Sequence, residues 1–190
     1  IDEKTAKENA VNAIKKLRYD KTNYIWINDD TLPHPKMIMH PIATSLDGKV
    51  LNAEKFNCAT DLEYANNEIV KTDGKKNLFQ SFVEVVNKGN TGFVGYLWPK
   101  PKADGTNSEE LYEKLSYVKK FDKWGWVIGS GIYIDDVNAE FNQSLLNIIL
   151  TVFFVLIVLG LVSYFIVKDI DSDSRLNFYT YINKRPQYEI

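Results

Sequence analysis

The run from Leu145 to Val167, LLNIILTVFFVLIVLGLVSYFIV, holds no charged residue, and its polar members are only Asn147, Thr151, Ser163 and Tyr164. At a helical rise of about 1.5 Å per residue it reaches roughly 34 Å, enough to cross a hydrocarbon core of about 30 Å. A soluble helix seldom stays apolar on every face over such a length, so the run reads as a transmembrane helix. It divides the chain into a folded domain over residues 1–141, a membrane helix over 142–168 and a juxtamembrane segment over 169–190. Asp135, Asp136 and Glu140 precede the run, while Lys168, Arg175, Lys184 and Arg185 follow it. Lys and Arg favour the cytoplasmic side, which places the N-terminal domain outside. The chain opens in a helical pattern without an initiator methionine or a signal peptide, as a piece cut from a longer chain would.

The remaining composition excludes several classes. The 23 basic and 25 acidic residues are mixed along the sequence, for a formal charge of -2, so no basic face is offered to nucleic acid. Cys58 is the lone cysteine and cannot form an internal disulfide. His34 and His40 are the two histidines; there is no HExxH or CxxC, and no metal site is expected. Gly129-Ser130-Gly131 has the start of a dinucleotide loop, but Ile134 stands where a third glycine is required. Asp73 to Lys76 lacks the Walker spacing, and no GxSxG elbow is present. The chain is therefore expected to carry no cofactor and to be no enzyme.

Ala6, Ala10, Ile14 and Leu17 recur at helical spacing, which predicts an amphipathic helix to about Tyr19. Asn23 to Asn28 is aromatic and β-branched, as a strand is. Met37 to Pro41 reads as a short strand stopped by its proline, and Asp47-Gly48 as a turn. A helix is expected near Asp61 to Val70 within a polar excursion. Asn77 is placed to cap a second helix, since Leu78, Phe79, Phe82, Val83 and Val86 share one side of a helical wheel. That helix should end at Lys88-Gly89. Strands are expected over Gly92 to Trp98, Leu115 to Phe121 and Trp126 to Ile132. Meander connections between them give an antiparallel sheet. The fold class is α+β: a PAS-like antiparallel sheet with a long N-terminal helix, followed by the transmembrane helix.

Four phrases carry a resemblance: Leu17 to Asp29, Met37 to Val50, Gly92 to Pro101 (GFVGYLWPKP) and Lys114 to Asp136 (KLSYVKKFDKWGWVIGSGIYIDD). Together they resemble the single Cache (type 2) sensor domains of bacterial methyl-accepting chemotaxis proteins and sensor histidine kinases, over about residues 1–141. The family usually shows Gly-Thr-Gly where this chain has Gly129, Ser130 and Gly131, a change that keeps a hydroxyl. The excursion from Lys102 to Glu113 exceeds the shorter family loops. The resemblance implies a periplasmic sensor domain anchored in the inner membrane, part of a homodimeric receptor. Its output would be chemotaxis or a phosphorelay. Its pocket, on a face of the sheet, would take a small carboxylate such as acetate, propionate, pyruvate or lactate. A membrane-tethered periplasmic enzyme or a structural domain without ligand signalling is the alternative.

A carboxylate removed from water needs donors, and a short carbon tail needs an apolar wall. Arg18, Tyr24, His40, Tyr96, Lys114 and Tyr117 are the candidate donors; Trp26, Met37, Met39 and Trp98 are the candidate wall. The strand period of two puts Tyr24 and Trp26 on the same face of their strand, and likewise Tyr96 and Trp98 on the same face of theirs. If His40 touches the acid, affinity should rise as pH falls through about 6.5, where the imidazolium forms. The last strand is expected to continue into the membrane helix as a mechanical link, so that ligand shifts the helix after Ile134.

Overall fold

The computed structural model describes residues 1–19, 23–102 and 106–183. Two compact units are present, Ile1–Asn138 and a second that starts at Ala139. In the first unit, helix α1 spans Glu3–Lys15. Asp2 caps it, its carboxylate accepting from the Thr5 N–H at 2.9 Å and the Thr5 hydroxyl at 2.8 Å. The helix stops short of the expected Tyr19 because Arg18–Tyr19 form a two-residue strand, β1, against β2 (Asn23–Asp29). Strand β3 (Met37–Met39) also pairs with β2 and ends before His40 and Pro41.

Strands β4 (Asn57–Tyr64) and β5 (Ile69–Asn77) are a hairpin where a helix was expected near Asp61 to Val70. The reason is local. Asn67 adopts a left-handed conformation (φ 64°), and the Asn66 side chain accepts from the Glu68 N–H at 3.1 Å, which turns the chain back. The turn then sends β4 along β6 (Thr91–Pro101), which a helix could not pair with. Strands β7 (Asn107–Phe121) and β8 (Trp126–Tyr133) complete one antiparallel sheet in the order β1-β2-β8-β7-β6-β4-β5. The three expected closing strands lie inside β6, β7 and β8. Pairing runs further than expected, through Pro99 with Leu111 and Pro101 with Asn107. Of the excursion from Lys102 to Glu113, residues 103–105 lie outside the described ones.

Helix α2 (Leu78–Gly89) is capped as the sequence suggests: Asn77 Oδ1 accepts from the Phe79 and Gln80 N–H groups at 3.0 and 3.1 Å. Asn90, with φ 64°, takes the left-handed position that ends it. The sheet is buried on both faces. On one, Trp26, Val94, Tyr96, Val118 and Val127 pack with Phe79, Phe82, Val83 and Val86 of α2. On the other, Ile27, Met39 and Trp126 pack with Ala10, Val11 and Ile14 of α1. Alternation along β2 assigns Trp26 to the first and Ile27 to the second.

Helix α3 runs over Ile134–Asn183. Within the second unit its apolar side chains are exposed, and it is long and apolar enough to cross a membrane. Arg175 pairs with Asp171 at 3.0 Å, one turn apart, beyond the apolar stretch. The basic Lys184 and Arg185 lie outside the described residues.

The Gly129-Ser130-Gly131 motif now has a structural cause. The Ser130 hydroxyl donates to the Tyr24 carbonyl at 2.8 Å across the β2 and β8 pair, which any hydroxyl residue could do. A Cβ on Gly129 would lie 2.2 Å from the Trp26 ring. Gly129→Ala is therefore expected to lower unfolding stability by about 1–3 kcal/mol through overpacking. Urea denaturation of the full chain in detergent, followed by tryptophan fluorescence, measures it; an unchanged midpoint would mean that the ring has room to move.

Candidate functional site

The α2-facing side of the sheet encloses a small cavity. Tyr24 and Trp26 of β2 and Tyr96 and Trp98 of β6 form its sheet side, Leu78, Phe79 and Phe82 of α2 cover it, and His40 closes one end. Its volume is about 10 Å³. That is close to the least space that holds one water molecule. Every residue that lines it except Trp98, which is partly buried, lies in the buried interior.

His40 is held by its own loop. Its backbone N–H donates to Asp47 Oδ1 at 2.7 Å, so the Asp47-Gly48 turn fixes where β3 ends. The backbone N–H groups of Ile42 and Ala43 donate to His40 Nδ1 at 3.3 and 2.8 Å. Nδ1 is thereby an acceptor, and the neutral ring carries its proton on Nε2. Burial, with the nearby charge of Lys114 and then Arg18, lowers the histidine pKa to about 3. In the ligand-free protein His40 therefore offers one neutral N–H through pH 6.5, where the sequence alone predicts imidazolium formation.

Lys114 is the electrostatic centre of the site. Paired across the sheet with Tyr96 on one side and Tyr133 on the other, it points to the α2 face and is fully buried. Its Nζ has no hydrogen-bond partner among the described residues. It lies 4.1 Å from the centroid of the Tyr24 ring and 4.5 Å from that of Tyr133, over two electron-rich faces. Burial lowers its pKa to about 7. The Tyr96 hydroxyl lies 2.8 Å from the Ser116 hydroxyl, and burial raises the pKa values of Tyr24, Tyr96 and Tyr133, so these phenols stay protonated. The Trp26 Nε1–H donates to Asn28 Oδ1 at 3.1 Å and is not free to serve a ligand. Among the described residues, the result is a pocket of weakly hydrated donors and one lysine with no carboxylate bonded to it.

Of the residues singled out from the sequence, Tyr24, Trp26, His40, Tyr96 and Trp98 line the cavity, and Lys114 abuts Tyr24 at its edge. Four do not line it. Tyr117 is three positions from Lys114, and the strand period turns it to the other face, where it meets Phe93 at 5.2 Å between ring centroids. Met39 packs with Ile27 beneath α1, on that same opposite face. A register shift between Ile27 and Asn28 lets Met37, two residues earlier, join the α2-side core instead. Arg18 is exposed, and its guanidinium donates to the carbonyls of Lys15 at 2.8 Å and Leu17 at 2.7 Å. The α2 residues Phe79 and Phe82 were read only as a packing face, and their place over Trp98 and Tyr96 was missed. Among the described residues, no group of three or more His, Cys, Asp or Glu side chains could hold a metal ion.

A lysine whose folded pKa lies below its unfolded value near 10.5 binds fewer protons folded than unfolded between those two pH values. Stability is therefore expected to rise with pH from about 7 toward 9.5, by on the order of 1 kcal/mol per pH unit. Lys114→Met should remove that slope and leave the chain more stable at pH 6 by a few kcal/mol. Urea unfolding at pH 6, 7.5 and 9 reads both effects, and a wild-type stability flat over this interval contradicts the buried, unpaired ammonium.

Comparison with known proteins agrees with this architecture. Residues 1–155 match the dCache_2 family, described as a Cache domain. The methyl-accepting chemotaxis protein McpP of Pseudomonas putida is 38% identical over 145 residues, which cover 76% of this chain and 22% of McpP. The sensor histidine kinase MctS of Rhizobium johnstonii is 26% identical over 142 residues, 73% of this chain and 25% of MctS. The chain thus spans about a quarter of the length of these relatives. Among solved structures, a Cache chemosensory domain studied for its carboxylic acid recognition is 33% identical, with a TM-score of 0.54, and the match covers 70% of this chain and 75% of that one. The one sheet with its capped α2, and a match that runs over most of the sequence, lead to one conclusion: the chain belongs to the Cache domain family of chemoreceptor and sensor-kinase sensor domains.

Proposed function

We propose that this chain is the sensor portion of a membrane receptor whose external domain binds a small carboxylate, such as acetate, propionate, pyruvate or lactate, and that it performs no catalysis. The observation that carries the proposal is the buried Lys114 ammonium, which lies over the Tyr24 and Tyr133 ring faces and has no hydrogen-bond partner among the described residues. A carboxylate beside it would supply the missing charge, and a charge-assisted hydrogen bond in so dry a place is strong. The His40 Nε2–H and the Tyr24 and Tyr96 hydroxyls are the further donors in reach of the same space, while Trp98, Phe79 and Phe82 would enclose a short carbon tail. Support also comes from the solved Cache domain that recognises carboxylic acids.

The size of the cavity limits the ligand and sets a requirement. Acetate needs several times the space of one water, so binding has to open the site, and the partly buried Trp98 ring is the element with room to move. Tails longer than a few carbons would have to displace the α2 phenylalanines as well. The receptor reading further places the domain in the periplasm, α3 across the inner membrane and residues 169–190 in the cytoplasm, within a homodimer. The helix length, the flanking charges and the two receptor relatives support that placement.

The pH profile separates the roles of the two basic groups. A carboxylate favours the protonated lysine, so affinity should be flat between pH 5.5 and about 7 and then fall, approaching tenfold per pH unit. Calorimetric titration of the full chain in detergent with propionate is expected to show this fall in wild type and in His40→Gln, which still offers an N–H. Lys114→Met should bind at least about 100-fold more weakly, with no fall left. Wild-type protein that binds none of the four acids at millimolar concentration would refute the carboxylate reading.

A further inference from the structure

Tyr133 is the last residue of β8, and Ile134 is the first of α3. Its ring stands between two lysines. Lys114 Nζ, from the pocket, is 4.5 Å from the ring centroid, and Lys100 Nζ, from the end of β6, is 5.0 Å from it. Lys100 also bonds Asp135 Oδ2 at 2.5 Å and Asp136 Oδ1 at 2.7 Å, the two acids in the first turn of α3. The Tyr133 hydroxyl donates to the carbonyl of Pro99, the neighbour of Lys100, at 2.8 Å. Burial acts to lower the Lys100 pKa, but the two carboxylates hold it above its usual value, so this second lysine stays charged where the first is poised to change. Every one of these groups lies within the first unit.

Two cations drawn to one ring compete for it and repel each other. A carboxylate that binds Lys114 screens its charge and draws it away from the aromatic faces. The ring is then left to Lys100, and the grip of Lys100 on Asp135 and Asp136 tightens. We propose that Tyr133, Lys100, Asp135 and Asp136 form the coupling element that reports the state of Lys114 at the first turn of α3. This inference rests on the carboxylate reading for its physiological trigger. Its physical content, that Lys114 and the first turn are linked through Lys100, needs no ligand.

Hydrogen–deuterium exchange of the full chain in detergent tests the link directly. Lys114→Met, which removes the pocket charge, is expected to slow exchange of amides 135–138 by about fivefold or more, a coupling of ordinary size. Amides 69–77 of β5 should stay unchanged. In a Lys100→Met background the same Lys114→Met substitution should shift amides 135–138 by less than about twofold, because the intermediary is gone. No shift in the first turn, or an equal shift with and without Lys100, overturns the proposal. This outcome is independent of whether any acid binds, so it stands apart from failure of the carboxylate reading. In wild type that binds propionate, Lys100→Met should change the dissociation constant by a similar factor, as reciprocity demands, and an unchanged constant also overturns the coupling.

Discussion

An ammonium group buried among aromatic rings, with no hydrogen-bond partner among the described residues, is the constraint around which the site is arranged. Withdrawal of such a charge from water costs several kcal/mol, and the faces of Tyr24 and Tyr133 offset only part of that. A fold that merely needed a core would place an apolar residue at position 114. The cost is tolerable where a partner arrives from outside, and the surroundings of Lys114 suit a partner that is small, flat and anionic. The neutral His40 and the protonated tyrosines add donors without adding charge, so that the positive charge of Lys114, when it is protonated, is the one to be matched.

The rest of the architecture holds that arrangement in place. The sheet is two-faced, with α1 and α2 on opposite sides, so the site face is sealed from the side that α1 covers. The lack of a side chain at Gly129 leaves room for the Trp26 ring beside β8. At the end, the Asp47 carboxylate holds the His40 backbone N–H, and the Ile42 and Ala43 N–H groups at Nδ1 lock its ring in a single tautomer. Such over-determination of one ring is what a precise donor requires. On the far side of Lys114, the Tyr133 ring that lies under its ammonium belongs to the last residue of β8, directly before α3.

Much of this was legible in the residues, for identifiable reasons. The apolar run after Leu145 falls inside one long helix, as its composition suggests, and Asn77 followed by a one-sided apolar pattern announces α2. Alternation placed Tyr24 with Trp26 and Tyr96 with Trp98 on their correct faces. The same rule, applied along β7, would have separated Lys114 from Tyr117, which differ by an odd number of positions. The β4 and β5 hairpin was obscured because its polar, lysine-rich edge strand lacks a strand's composition, and because its turn rests on one left-handed asparagine. Met39 was lost to a register shift, which no period reveals. Phe79 and Phe82 were legible as a helix face, but what that face covers depends on contacts far apart in sequence.

The most direct test is the ionisation of Lys114 itself. Nuclear magnetic resonance of the full chain in detergent, with lysine labelled at Cε and Nζ and Lys114 assigned by substitution, gives its pKa with and without propionate. The account predicts a value near 7 in the free protein and a marked rise when the acid is bound. A value near 10.5 that does not respond to propionate would contradict it.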